Sequence, residues 1–173
     1  MKHLLILTFT ILFALPTFSQ GENTAEITKT TTYYFIRHAE KNRSDANNKN
    51  PHLIQNGMLR AAKWSLVLDN VKFDAVYSTD YNRTKETAQP TAEKNGLEVT
   101  IYNPRTLNSD AFKNNTLGKT VLVVGHSNTT PMFVNAVLGE EKHKSIDDNN
   151  NANLYIVTIS PSGKKSDTLL VIE

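Results

Sequence analysis

Two apolar runs, each ending on a histidine, constrain this chain more than any other feature. Tyr34-Phe35-Ile36 stops on Arg37-His38 and gives way to charged, Asn-rich sequence, and Val121-Leu122-Val123-Val124 stops on Gly125-His126-Ser127. Unbroken runs of this length, without the polar alternation of a half-exposed strand, fit strands buried on both faces of a helix-covered parallel sheet. Open α/β sheets place their chemistry outside the carboxyl ends of the strands. Two strands that each deliver a histidine to that edge suggest one site.

The remaining sequence alternates in the way such a sheet requires. Strands are expected at 32–37, 73–78, 97–102 and 120–125, with a pair at 154–159 and 168–172 joined by Ser160-Pro161-Ser162-Gly163. Helices are expected from Asn56-Gly57 to about Asp69, from Tyr81 to Asn95, from Ser109 to Leu117 and from Pro131 to Leu138, the last stopped by Gly139. On the first helix Met58, Ala61, Ala62, Leu66 and Leu68 or Asp69 mark the apolar face, widened by Trp64 and Val67. Pro90 is expected to kink the second helix or split it. The order implies a three-layer α/β sandwich: a mostly parallel central sheet with helices on both faces.

At 173 residues the chain is long enough for one domain and too short for two. A net charge of +2 gives no bulk attraction for nucleic acid, so any positive potential that matters is local. The chain has no cysteine, which excludes disulfides, thiolate metal sites and a cysteine nucleophile. Met1-Lys2-His3 followed by the apolar run Leu4–Leu15 and Pro16 has the pattern of a secretory signal peptide, too short for a comfortable membrane span. Thr17 and Ser19 fit a cut before Gln20, and a cut one or two residues later fits as well. The expected organisation is a signal peptide over 1–19, a polar tail over 20–32 and a single domain over 33–173. The mature protein is expected to be exported, periplasmic or secreted, without stable membrane insertion.

Arg37 and Arg83 are permanent cations whose forked geometry matches phosphate oxygens. Backbone N–H groups at Ser127 and Asn128, ahead of a helix, add donors and the positive end of its dipole. Beside them a neutral imidazole is able to attack phosphorus, while flanking cations stabilise the transferring group without a metal or other cofactor. His52 and His143 fall in polar loops and read as surface residues, as does Arg43. Trp64 reads as core.

Four motifs in order resemble the histidine phosphatase superfamily, also called phosphoglycerate mutase-like. They are Arg37-His38-Ala39-Glu40-Lys41, a degraded Leu53-Ile54-Gln55-Asn56-Gly57, Tyr77-Ser78-Thr79 with Arg83 and Thr87-Ala88, and Gly125-His126-Ser127. The resemblance implies that His38 is the nucleophile, that Arg37 and Arg83 bind phosphate, and that His126 hydrogen-bonds the transferring group. For the general acid, Asp110 is the first candidate and Glu40 the second. Glu40 and Lys41 also stand at the pocket rim, where they bear on substrate choice. The implied activity is hydrolysis of a small phosphomonoester or a phosphohistidine through a phosphohistidine intermediate. A phosphate-binding module without turnover and a mutase-type phosphotransferase are the alternatives.

Overall fold

The computed structural model describes residues 29–173, so the signal-peptide stretch and most of the tail lie outside the described residues. Six strands and four helices follow in the order β1 (Thr31–Arg37), α1 (Gln55–Val67), β2 (Ala75–Ser78), α2 (Asn82–Lys94), β3 (Val99–Ile101), α3 (Asp110–Thr116), β4 (Thr120–Gly125), α4 (Thr129–Leu138), β5 (Asn153–Ile159) and β6 (Lys165–Val171). They form one sheet in the order β3-β2-β4-β1-β5-β6. Strands β1 to β4 pair in parallel, and β5 and β6 continue the sheet antiparallel. The expected three-layer sandwich is the observed one.

Alternation along the central strands divides the core in two. Tyr33, Phe35, Val121 and Val123 face α3 and α4, where they meet Phe112, Phe133 and Val134. Ile36, Leu122 and Val124 face α1 and α2, where they meet Trp64, Ala88 and Ala92. Phe133 sits among Phe35, Tyr102 and Phe112 at ring separations of 4.9–5.4 Å, tilted as aromatic rings prefer. Deleting such a ring costs about 3–5 kcal/mol of stability. The crevice between β1 and β4 opens at their carboxyl ends, because the chain leaves β1 toward one face of the sheet and β4 toward the other.

Two local expectations are corrected. The buried face of α1 is Gly57, Ala61 and Trp64, continued by Leu68, whereas Met58, Leu66 and Val67 are exposed. Of the two outcomes expected at Pro90, a split is not seen: α2 runs through the proline as one helix of 13 residues. Thr84, Thr87, Ala88, Thr91 and Ala92, on both sides of the proline, are at most 1% exposed. That packing outweighs the one backbone donor the proline lacks.

Candidate active site

The β1–β4 register places Arg37 opposite Gly125, so the residues that follow leave the sheet side by side. The His38 amide donates to the Gly125 carbonyl at 2.9 Å, which carries the ladder one step into the site. The rings of His38 and His126 meet edge to face with centroids 5.4 Å apart. Gly125 is glycine because the backbone is crowded there. A Cβ would stand 2.7 Å from Thr130 Oγ1 and 3.0 Å from Tyr102 Oη.

His38 is 3% exposed, and its Nδ1 lies 2.7 Å from the Ala39 carbonyl. A carbonyl only accepts, so Nδ1 carries the hydrogen and Nε2 keeps its lone pair. Burial, helped by Arg37, His126 and Arg83 and opposed by that hydrogen bond, lowers the His38 pKa to about 3. Burial and then Arg83, Lys41 and Arg37 lower His126 to about 4. Both rings are therefore neutral at pH 7.

This neutrality has a thermodynamic signature. An unfolded histidine titrates near 6.5, so from about pH 6.5 down to about pH 4 for His126 and about pH 3 for His38 the unfolded chain binds more protons than the folded one. The stability contributed by the two neutral rings is complete above the unfolded value and is lost as pH falls through that window. Melting temperature is expected to be level above pH 7 and to drop between pH 6.5 and 4, with a shallower drop for His38→Asn. An unchanged melting temperature across the window would mean that the rings are solvated.

Arg37 is 1% exposed and held by the segment between α4 and β5. Its Nη1 donates to the carbonyls of Asp147 at 2.8 Å and Asn150 at 2.9 Å, and its Nη2 to Asp148 Oδ1 at 2.6 Å. Arg83 emerges from the start of α2 and lies 4.5 Å above the Tyr81 ring, whose edge-on contact with His126 has a centroid distance of 5.0 Å. The Nε atoms of both arginines are buried with no partner among the described residues. An orphaned N–H on a buried cation is costly, and an anion in the pocket would relieve both. The amides of Ser127 and Asn128 make no backbone hydrogen bond and precede α4.

These groups converge on a pocket of about 330 Å³ lined by Arg37, His38, Arg83, His126 and Ser127, with Lys41 at its wall. Tyr81 and Asp148 line it as well and were not foreseen. Asp148 pairs with both Arg37 and Arg43. The hydrogen bond from Arg43 and then that from Arg37, partly opposed by burial, hold its pKa at about 2. Thr87 Oγ1 accepts from the Ala39 amide at 2.9 Å and Asn151 Nδ2 donates to the His38 carbonyl at 2.7 Å, fixing the turn that carries the histidine. Of these residues Thr87 had a signal in the sequence, since it lies one helical turn after Arg83 in the same motif.

Neither expected proton donor lines this pocket, although Glu40 lines the cavity that adjoins it. Asp110 is the first residue of α3, has a side chain 90% exposed and pairs with Lys113 at 2.6 Å. The position that the resemblance implied for the general acid is therefore absent from the pocket wall. The Glu40 carboxylate turns toward α1, where Oε1 accepts from Arg60 Nε at 2.7 Å. His143 is also corrected. Its side chain is 12% exposed, and Nε2 lies 2.8 Å from Asp167 on β6, which ties the loop after α4 to the sheet edge. His52 is exposed and pairs with Glu86.

The fold is that of phosphoglycerate mutase-like proteins. Phosphoglycerate mutase from Bacillus anthracis superposes with a TM-score of 0.63 at 13% identity, over 84% of this chain and 94% of that one. The protein histidine phosphatase SixA, solved with tungstate, gives a TM-score of 0.62 at 16% identity, over 81% and 96% of the two chains. A mutant of phosphoserine phosphatase from Entamoeba histolytica, solved with phosphoserine, gives 0.60 at 15% identity, over 80% and 95%. In sequence, the model of the histidine phosphatase superfamily (branch 1) matches residues 33–104. Histidine phosphatase superfamily, branch 1, is thus the family this chain resembles in both sequence and fold. Arg37, His38 and Arg83 fall within the matched span, whereas His126 follows from the strand register. No curated protein sequence gives a significant match.

Proposed function

We propose that the protein is an exported phosphomonoesterase that passes the phosphoryl group of a small phosphorylated substrate or a phosphohistidine through His38. The observation that carries this reading is the state of His38: neutral, its Nδ1–H donated to the Ala39 carbonyl, its Nε2 left with a lone pair in a cationic pocket. Nε2 attacks phosphorus as the bond to the leaving oxygen breaks, and water later displaces the histidine. Arg37, Arg83 and the Ser127 amide hold the phosphoryl oxygens, while His126 donates one hydrogen bond to them. The likeness to phosphatases of protein histidine and phosphoserine supports the substrate class. Export rests on the Met1–Ser19 sequence, whose removal is checked by the mass of the secreted form.

Hydrolysis of p-nitrophenyl phosphate between about pH 5 and 8, where a neutral histidine operates, tests the reading. No turnover would favour a phosphate-binding module instead. Among the described residues no cluster of three or more His, Asp or Glu side chains is placed to hold a metal ion. EDTA is accordingly expected to leave the rate unchanged, and inhibition by the chelator, reversed by a divalent cation, would refute that.

A further inference from the structure

Cleavage of an alkyl phosphate requires a proton on the departing oxygen, and neither expected carboxylate lines the phosphoryl pocket: Asp110 is out on α3, and Glu40 lines only the adjoining cavity, where its Oε1 is paired with Arg60 Nε at 2.7 Å. The carboxylate on the pocket wall is Asp148, which is an anion committed to Arg37 and Arg43. His126 is neutral, so it offers a hydrogen bond but no acidic proton. Arginine does not release one. Tyr81 is fixed as the platform under Arg83 and against His126.

Lys41 is differently placed. It lines the phosphoryl pocket beside His38 and also an adjoining cavity of about 290 Å³, which shares His38 and Asp148 with the first. The side chain therefore stands at the seam where the pocket opens toward space for a leaving group. Its backbone is pinned by an antiparallel bridge to Leu53, so the stem starts from a fixed point. The charges around it are Arg37 and Arg43 from its own strand end and loop, Arg83 from α2 and Asp148 from the loop before β5, with His126 nearby. Burial first, and then Arg83 and Arg43, lower its pKa, which eases proton release.

We propose that Lys41 is the proton donor to the leaving group, a catalytic role that rests on the phosphatase reading. As His38 Nε2 bonds to phosphorus, the P–O bond to the alcohol breaks and its oxygen takes a proton from the Lys41 ammonium. The resulting amine then takes a proton from the attacking water as the new P–O bond forms and the N–P bond breaks. Phosphate leaves, and Lys41 is again an ammonium.

The test compares kcat/KM of the intact protein, K41M and K41R on β-glycerol phosphate, a poor leaving group, and on p-nitrophenyl phosphate, a good one. Both variants are expected to lose about 10²–10⁴-fold on the alkyl substrate, the range of general acid catalysis, and less than about tenfold on the aryl one. Because the donor must be protonated, alkyl turnover should fall at high pH in the intact protein. K41M should lack that limb. Equal losses on both substrates, rescue of alkyl turnover by K41R, or an alkyl-selective loss in Y81F instead would overturn the assignment. So would an intact protein that cleaves the aryl substrate and no alkyl phosphate. No turnover of either substrate by the intact protein would overturn the phosphatase reading, and the assignment with it.

Discussion

His38→Ala is expected to lower turnover of p-nitrophenyl phosphate by at least about 10³-fold, because it removes the atom that bonds to phosphorus and leaves only the electrostatic cradle. Folding should survive the change. The variant also removes a buried imidazole whose protonation opposes folding in acid, so its melting temperature at pH 5 should not fall below that of the parent. Brief mixing of the parent with labelled substrate should trap a phosphoenzyme that is stable in alkali and labile in acid, and the variant should trap none. Residual turnover within tenfold of the parent, or equal labelling of both proteins, would move the nucleophile to another residue.

Gly57→Ala should be nearly as damaging, although Gly57 touches no substrate. The first turn of α1 lies against the backbone that follows His38, and a Cβ at Gly57 would be driven into the Glu40 carbonyl oxygen. That carbonyl already accepts the Ile54 amide at 3.0 Å, so neither partner has room to retreat. Overpacking of this kind costs about 1–3 kcal/mol, or more where backbone is the obstacle. The same displacement reaches His38 two residues away, where a shift near 1 Å costs about 10²-fold in rate. Thermal melting and kcat/KM together check this: a lower melting temperature with unchanged kcat/KM would show that the turn yields without moving the histidine. Gly57 is thus the physical content of the degraded Leu53–Gly57 motif.

What could be read in the sequence was what is local. Strands β1 and β4 are buried on both faces, so their apolar runs are unbroken and their ends nearly coincide with the expected ones. Arg37, His38, His126 and Ser127 sit directly at those ends, which is why their types and order sufficed. The face of α1 was misread because Met58, Leu66 and Val67 are apolar yet exposed, and they imitate a core stripe at helical spacing. Asp110 was misplaced for a related reason: a position between two motifs does not say on which side of a helix a carboxylate lies. Asp148 and Asn151 were hidden in an Asn-rich stretch whose composition reads as a solvated loop. Their contacts with Arg37 and the His38 carbonyl lie 111 and 113 residues away in sequence, beyond any local pattern.

Those distant contacts bear on when the protein acquires its chemistry. The guanidinium of Arg37 is oriented by Asp147, Asp148 and Asn150, which the ribosome adds more than a hundred residues after the arginine itself. A chain synthesised only as far as α4 holds both histidines but not the segment that aims their phosphate-binding partner. The orientation of Arg37 is therefore set by the segment that leads into β5 and not by the strand that carries the arginine.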